Sequence, residues 1–320
     1  MREWTLADRA RVRYERGERL VAPLLGFPGV SLAGSEIKLA QQNFREHFRV
    51  VQTNVEFFSP DLVFPLMDLS VEANALGRYT IFPRRDSAAV PKDHFDFHEI
   101  DRMRRIDVTG DARLMSYVET VRQMTRDLPD MIIKGAYVTG PYTLAALIMG
   151  AEDAAMATII QPDDLARLCE FTTGVILQYN DLLVGAGADV ICVLEPTAVM
   201  LGPKQFRQFS STYIRQITQR NAERGVCTVY HTCGNTMHLI SGMVEAGVQG
   251  VSLDAKDAGV DLVKVAQIIP QSVAVIGNIS PTQTLLHGTP DEVSREVLEL
   301  LGEMIPFPHY ILSTGCDLPQ

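Results

Sequence analysis

Positive charge is in short supply in this chain. Lysine and arginine total 29 against 39 aspartates and glutamates, giving a net charge of −10 and a pI near 5.2. The basic residues are scattered, and gripping a phosphate backbone takes clustered cations, so no nucleic-acid partner is expected. Long apolar runs are missing as well. The stretch 136–149 is interrupted by Thr139, Gly140, Pro141, Tyr142 and Thr143, and falls short of the ~20 residues that cross a bilayer. No membrane role is expected. The opening MREWTLADRARVRYERGERL carries charge throughout and has no apolar core, so it does not read as a signal peptide, and the cytoplasm is the default location. Cysteine is sparse and odd in number: Cys169, Cys192, Cys227, Cys233 and Cys316. That set does not suggest a disulfide framework, and the question becomes which thiols act as ligands.

What the chain does have is hydrophobic material, 46% of its 320 residues. Short apolar runs at 20–25, 61–66, 131–138, 189–194, 226–231, 248–253, 272–276 and 309–313 alternate with segments of helical periodicity. Several are continuously apolar, as expected of parallel strands covered by helices. Helices are predicted over 164–185, 203–220 and 290–304, the last two with proline at the first position. Eight strands with intervening helices predict an α/β fold, a (β/α)8 TIM barrel spanning residues 1–320 as a single domain. Residues 67–130 are too long for a simple crossover and read as a helical elaboration of the N-terminal half over the barrel mouth. The chain stops four residues after Cys316 with no helix after the last strand, so the native protein is expected to continue past Gln320.

His231 and Cys233 stand two apart where the fifth predicted strand ends, in VYHTCGNT. On extended backbone their side chains share a face, with Cα atoms ~6.5 Å apart. An imidazole nitrogen and a thiolate sulfur ~2.0 and ~2.3 Å from one zinc ion fit that separation. Cys316 ends the eighth strand in STGCDLP, and functional residues of such barrels gather at the C-terminal strand ends. Cysteine is also a common small buried residue. That plain role suits Cys169 on a helix, Cys192 in a strand, and Cys227, six residues deeper than Cys233.

The segments HTCGNT, VIGNISPTQTLLHGTPDEV and ILSTGCDLP, with DLVFPLMDLSVEANALG and GAYVTGPYTLAALIMG, resemble the uroporphyrinogen decarboxylase superfamily. More narrowly, they are similar to its zinc-dependent branch of corrinoid:thiol methyltransferases. The resemblance implies the barrel independently, and implies one zinc per chain on His231, Cys233 and Cys316. It further implies a methyl group moved from a methylcorrinoid, supplied by a separate corrinoid protein, to a small thiol activated by the zinc. The nearest approach to a cobalt-binding D-x-H-x-x-G pattern is residues 96–101, where Asp101 replaces the glycine. Two other readings stay open: a lyase acting on porphyrinogens, and a non-catalytic binding subunit in which zinc is structural. Decarboxylases of the superfamily hold a polycarboxylate with arginines after the first strand, whereas residues 21–34 contain neither arginine nor lysine.

Weaker expectations attach to other polar residues near predicted strand ends. Asp68, Glu195 and Asp254 are candidates for catalytic work, Asn278 for cofactor contact, and Glu72 is a further polar residue expected to face the mouth. Glu195 first, and Asp254 second, are candidates for a fourth zinc ligand that an incoming thiol replaces. Each also has an ordinary reading as a loop or helix-capping residue.

Overall fold

A computed structural model describes residues 4–319; the expected continuation past Gln320 lies outside the described residues. Seven strands form one parallel sheet in sequence order. They are β1 (Leu62–Val63), β2 (Ile133–Thr139), β3 (Val190–Leu194), β4 (Cys227–Thr232), β5 (Gly250–Leu253), β6 (Ala274–Ile279) and β7 (Tyr310–Thr314). Every strand except β7 is buried along its whole length, as the continuous apolar runs require when helices cover the outer face. The sheet curls as a half-barrel around an inner cluster that includes Phe64, Tyr137, Cys192, Leu194, Val229, Ile276 and Ile311.

Seven of the eight predicted strands therefore form, and the first does not. Of residues 20–25, only Val21 makes a bridge, parallel to Leu312. Ala22 N–H donates to Leu312 O (2.8 Å) and Leu312 N–H donates to Leu20 O (3.0 Å). Pro23 follows with no N–H to give, which ends the ladder. The same segment reaches the opposite edge of the sheet, because Asp61 N–H donates to Val21 O at 2.9 Å beside β1. The run at 272–276 also shifts: β6 extends to Ile279, so Asn278 lies inside a strand.

The helix Leu6–Glu15, capped by the Thr5 side chain, buries Leu6, Ala7 and Ala10 completely against the inner cluster. It contacts β6 and β7, and Trp4 O accepts from the Cys227 thiol near the start of β4. It therefore plugs the N-terminal end of the sheet. The predicted helices appear at Pro162–Gly185 and Pro290–Glu303, the latter opened by a Thr289/Glu292 capping box. The third is interrupted: Pro203–Phe206 and Thr212–Ala222 flank a π-helical turn at Arg207–Ser211. Residues 67–130 supply the short helices Val71–Ala75 and Glu99–Met103 and the long helix Ala112–Asp127. Among the described residues, no single helix is long and apolar enough to cross a membrane.

Candidate metal centre

β4 carries His231 at its penultimate position, and Cys233 follows the strand's last residue. Gly234, in the left-handed region at φ 78°, then turns the chain away. Cys316 stands two residues beyond β7. Its neighbour Gly315 approaches the backbone at Ala255 so closely that a Cβ there would lie 2.5 Å from Ala255 N. That absence of a side chain lets the end of β7 reach across to the ends of β4 and β5.

The three predicted ligands converge. Cys233 Sγ lies 3.6 Å from His231 Nε2, Cys316 Sγ lies 3.7 Å from the same nitrogen, and the two sulfurs are 3.2 Å apart. A disulfide would hold the sulfurs at about 2.05 Å, and both thiols are free. Tetrahedral donors 2.0–2.3 Å from one ion stand about 3.5–3.8 Å apart; the two nitrogen–sulfur edges fall in that range, and the sulfur–sulfur edge would open by about half an ångström to accept an ion. These residues form a group able to hold a metal ion. His231 is buried and the two cysteines are half-buried, so the site is sheltered but reachable. A hydrogen bond from Cys233, and secondarily the neighbouring His231, pull Cys316 far below the usual thiol range, while the same pairing pushes Cys233 up. The pair thus shares one proton, with Cys316 favoured as thiolate and Cys233 as thiol, and an ion held by both sulfurs would displace it.

The other candidates are not part of this triangle. Glu195 follows β3 with a fully buried side chain, yet its carboxylate turns beneath the helix Pro141–Met149. Oε1 accepts from Tyr142 N–H (3.0 Å) and Ser210 Oγ–H (3.0 Å), and Oε2 accepts from Thr143 N–H (2.8 Å). An anion at a helix N-terminus meets unpaired donors and the positive end of the dipole. Burial nevertheless raises its carboxyl to about 7. Its backbone does reach the centre, donating from N to His231 O at 2.9 Å. Asp254 lies nearer: Oδ2 accepts from Gly234 N–H at 2.6 Å, and Oδ1 from Ala255 N–H. Asn278 donates through Nδ2 to Asp254 O (2.9 Å) and Val260 O (3.3 Å), bracing that loop.

Asp68 and Glu72 are held in a buried polar layer beside the helices Ala112–Asp127 and Pro162–Gly185. Asp68 pairs with Arg113 and accepts from Tyr117 Oη–H at 2.7 Å and Ser70 N–H at 2.9 Å. Glu72 accepts from Thr139 N–H (2.7 Å) and Thr139 Oγ–H (2.9 Å) at the end of β2. One further contact is not singled out by the sequence reading: Ser252 Oγ on β5 lies 3.0 Å from His231 Nδ1. The available signal was a hydroxyl near the C-terminal end of the run 248–253, beside Val251 and Leu253.

Comparison with known proteins adds to this geometry. A sequence model of the uroporphyrinogen decarboxylase (URO-D) family matches residues 32–320. Methylcobamide:CoM methyltransferase MtbA of Methanosarcina acetivorans is 31% identical over 182 residues, which are 56% of this chain and 51% of that one. Methylcobamide:CoM methyltransferase MtaA of Methanosarcina barkeri is 28% identical over 235 residues, 73% of this chain and 62% of that one. The chain thus spans about half to three-fifths of the length of these relatives. Among solved structures, a methyltransferase from Methanosarcina mazei superposes with a TM-score of 0.81 at 22% identity, covering 99% of this chain and 94% of that one, and shares the fold.

Proposed function

Because the chain belongs to the uroporphyrinogen decarboxylase family, we propose a specific place for it there: a zinc-dependent methyltransferase on a single (β/α)8 barrel domain, residues 1–320. The methyl donor is a methylated corrinoid carried by a separate protein, the acceptor is a small thiol, and the enzyme works in the cytoplasm. The observation that carries this reading is the His231–Cys233–Cys316 triangle, with all three edges between 3.2 and 3.7 Å. Residues 20–22, which bond β7 and the residue before β1, support closure of the barrel. The names of the relatives MtbA and MtaA support methyl transfer from a cobamide to a thiol.

His231 would hold zinc through Nε2, and Cys233 and Cys316 through their sulfurs. Three protein ligands leave one tetrahedral position for a substrate. When bound, zinc supplies the Lewis acidity that lets an incoming thiol lose its proton at neutral pH, where a free alkyl thiol is only a few per cent thiolate. Two cysteine thiolates and a neutral imidazole would balance the charge of a divalent ion, so an incoming sulfur would remain electron-rich. Asp254 fixes the turn after Cys233 by accepting from Gly234 N–H, and Asn278 holds Asp254 in place. Glu195 anchors the end of β3 against His231. Asp68 and Glu72 support the loop after β1.

Decarboxylation of a polycarboxylate porphyrinogen, which the family name invites, calls for fixed cations, and residues 21–34 supply none. The deciding experiment has two arms on zinc-loaded protein. Calorimetry of 2-mercaptoethanesulfonate and 2-mercaptoethanol in buffers of different ionisation enthalpy is expected to show proton release on thiol binding. Methylcobalamin with the same thiols is expected to lose its methyl group, followed by its visible spectrum. Absence of thiol binding, with turnover of uroporphyrinogen by zinc-free protein, would overturn the proposal.

A further inference from the structure

His231 can serve a metal only if Nε2, the nitrogen facing both sulfurs, carries a lone pair. A neutral imidazole has one N–H, so the proton must then reside on Nδ1, and a buried Nδ1–H needs an acceptor. β4 and β5 pair in parallel with His231 directly opposite Ser252, and both side chains are buried. The Nδ1–Oγ distance is 3.0 Å.

We propose that Ser252 is the positioning residue for His231, its hydroxyl accepting from Nδ1–H and so aiming the Nε2 lone pair between Cys233 and Cys316. This rests on reading the three residues as a zinc site. The chemical character of the partner matters. A carboxylate or carbonyl accepts only, and would lock the proton on Nδ1 permanently. A hydroxyl both donates and accepts. Without an ion, the same hydroxyl can donate to Nδ1 and leave the ring proton on Nε2, which faces the sulfurs at 3.6 and 3.7 Å. With an ion, the proton moves to Nδ1 and the hydroxyl rotates to accept it. Nδ1 thereby keeps a hydrogen-bond partner whichever nitrogen carries the proton, and a buried polar atom is not left unpaired. The site is therefore preorganised for a metal while remaining intact without one.

The test uses the full chain and zinc alone. Competition against a chromophoric chelator gives the zinc affinity of the parent protein, Ser252→Ala and Ser252→Thr. Ser252→Ala is expected to bind about 10–100-fold more weakly, and Ser252→Thr, which keeps the hydroxyl, within a few-fold of the parent. Ring ¹⁵N signals of His231 in the parent are expected to show the proton passing from Nε2 to Nδ1 as zinc is added. Ser252→Ala binding zinc as tightly as the parent, with the same ring signals, overturns the inference. Equal loss in both variants overturns it too, since bulk at position 252, not the hydroxyl, would then set the affinity. A parent protein that takes up no zinc defeats the functional reading instead.

Discussion

Glu195 and Gly140 lie so close that a Cβ on residue 140 would fall 2.0 Å from Glu195 Oε2. The bare backbone at 140 is what lets the carboxylate slide under the helix Pro141–Met149 and take its free N–H groups.

Gly140→Ala is therefore expected to displace Glu195 and destabilise the protein by about 1–3 kcal/mol, the usual range for overpacking a tight core site. Urea unfolding measures it. An unchanged midpoint and slope would show that the two groups can move apart at no cost.

The metal centre makes a stoichiometric prediction. Protein purified under metal-replete conditions is expected to hold about one zinc per chain, and His231→Ala or Cys316→Ser to lose most of it, because each removes one of the three proposed ligands. Elemental analysis is the check. Full zinc retention in both variants would place the ion elsewhere.

Arg113 and Asp68 form an ion pair whose side chains are 8% and 1% exposed. Asp68→Ala would leave a buried guanidinium without its counter-charge and strip an acceptor from Tyr117 and Ser70. The expected loss is about 3–5 kcal/mol, read by denaturant titration. If stability instead holds while activity disappears, Asp68 acts in the chemistry rather than in the frame.

Glu72 predicts a pH dependence. Burial raises its carboxyl to about 7, against the hydrogen bonds from Thr139 and with a further push from Asp68; the phenol of Tyr179 also faces it. The folded state thus keeps a proton that the unfolded chain releases near its ordinary value of about 4.3. That contribution to stability is complete below pH ~4 and fades as pH rises to about 7, by roughly 3 kcal/mol. Glu72→Gln, neutral throughout, is expected to flatten this part of the stability–pH curve relative to the parent. Parallel curves would show that Glu72 ionises alike in both states.

The parts legible in the sequence are those governed by local periodicity. Parity along an extended strand put His231 and Cys233 on one face, and the strand-end position of Cys316 brought it to the same edge. Seven apolar runs became strands for the same reason. What local pattern does not carry is the hydrogen-bond inventory of distant backbone. Residues 20–25 look like a strand, but Pro23 removes the donor that would extend the ladder beyond Ala22. The spacing of Phe206, Phe209 and Tyr213 reads as an unbroken helix, yet a wider turn at Arg207–Ser211 sets Ser210 beneath Glu195. Glu195 itself reads as a strand-end acid open to substrate. Only the empty space over Gly140, more than fifty residues away in sequence, directs it to a helix terminus.

The contacts between residues 20–26 and 312–318 tie the two ends of the chain together beside the centre. Leu24 N–H donates to Thr314 Oγ, Ser313 Oγ–H to Ala22 O, and Gly26 N–H to Asp317 Oδ1, each across about 290 positions of sequence. Such pairings carry a larger loop-closure cost than local ones. Cys316 follows that strand, while His231 and Cys233 come from the middle of the chain, 83 to 85 positions away. An ion held by the three would therefore cross-link the middle of the chain to the same strand that the N-terminal segment ties down, joining three distant parts of the sequence at one edge of the sheet.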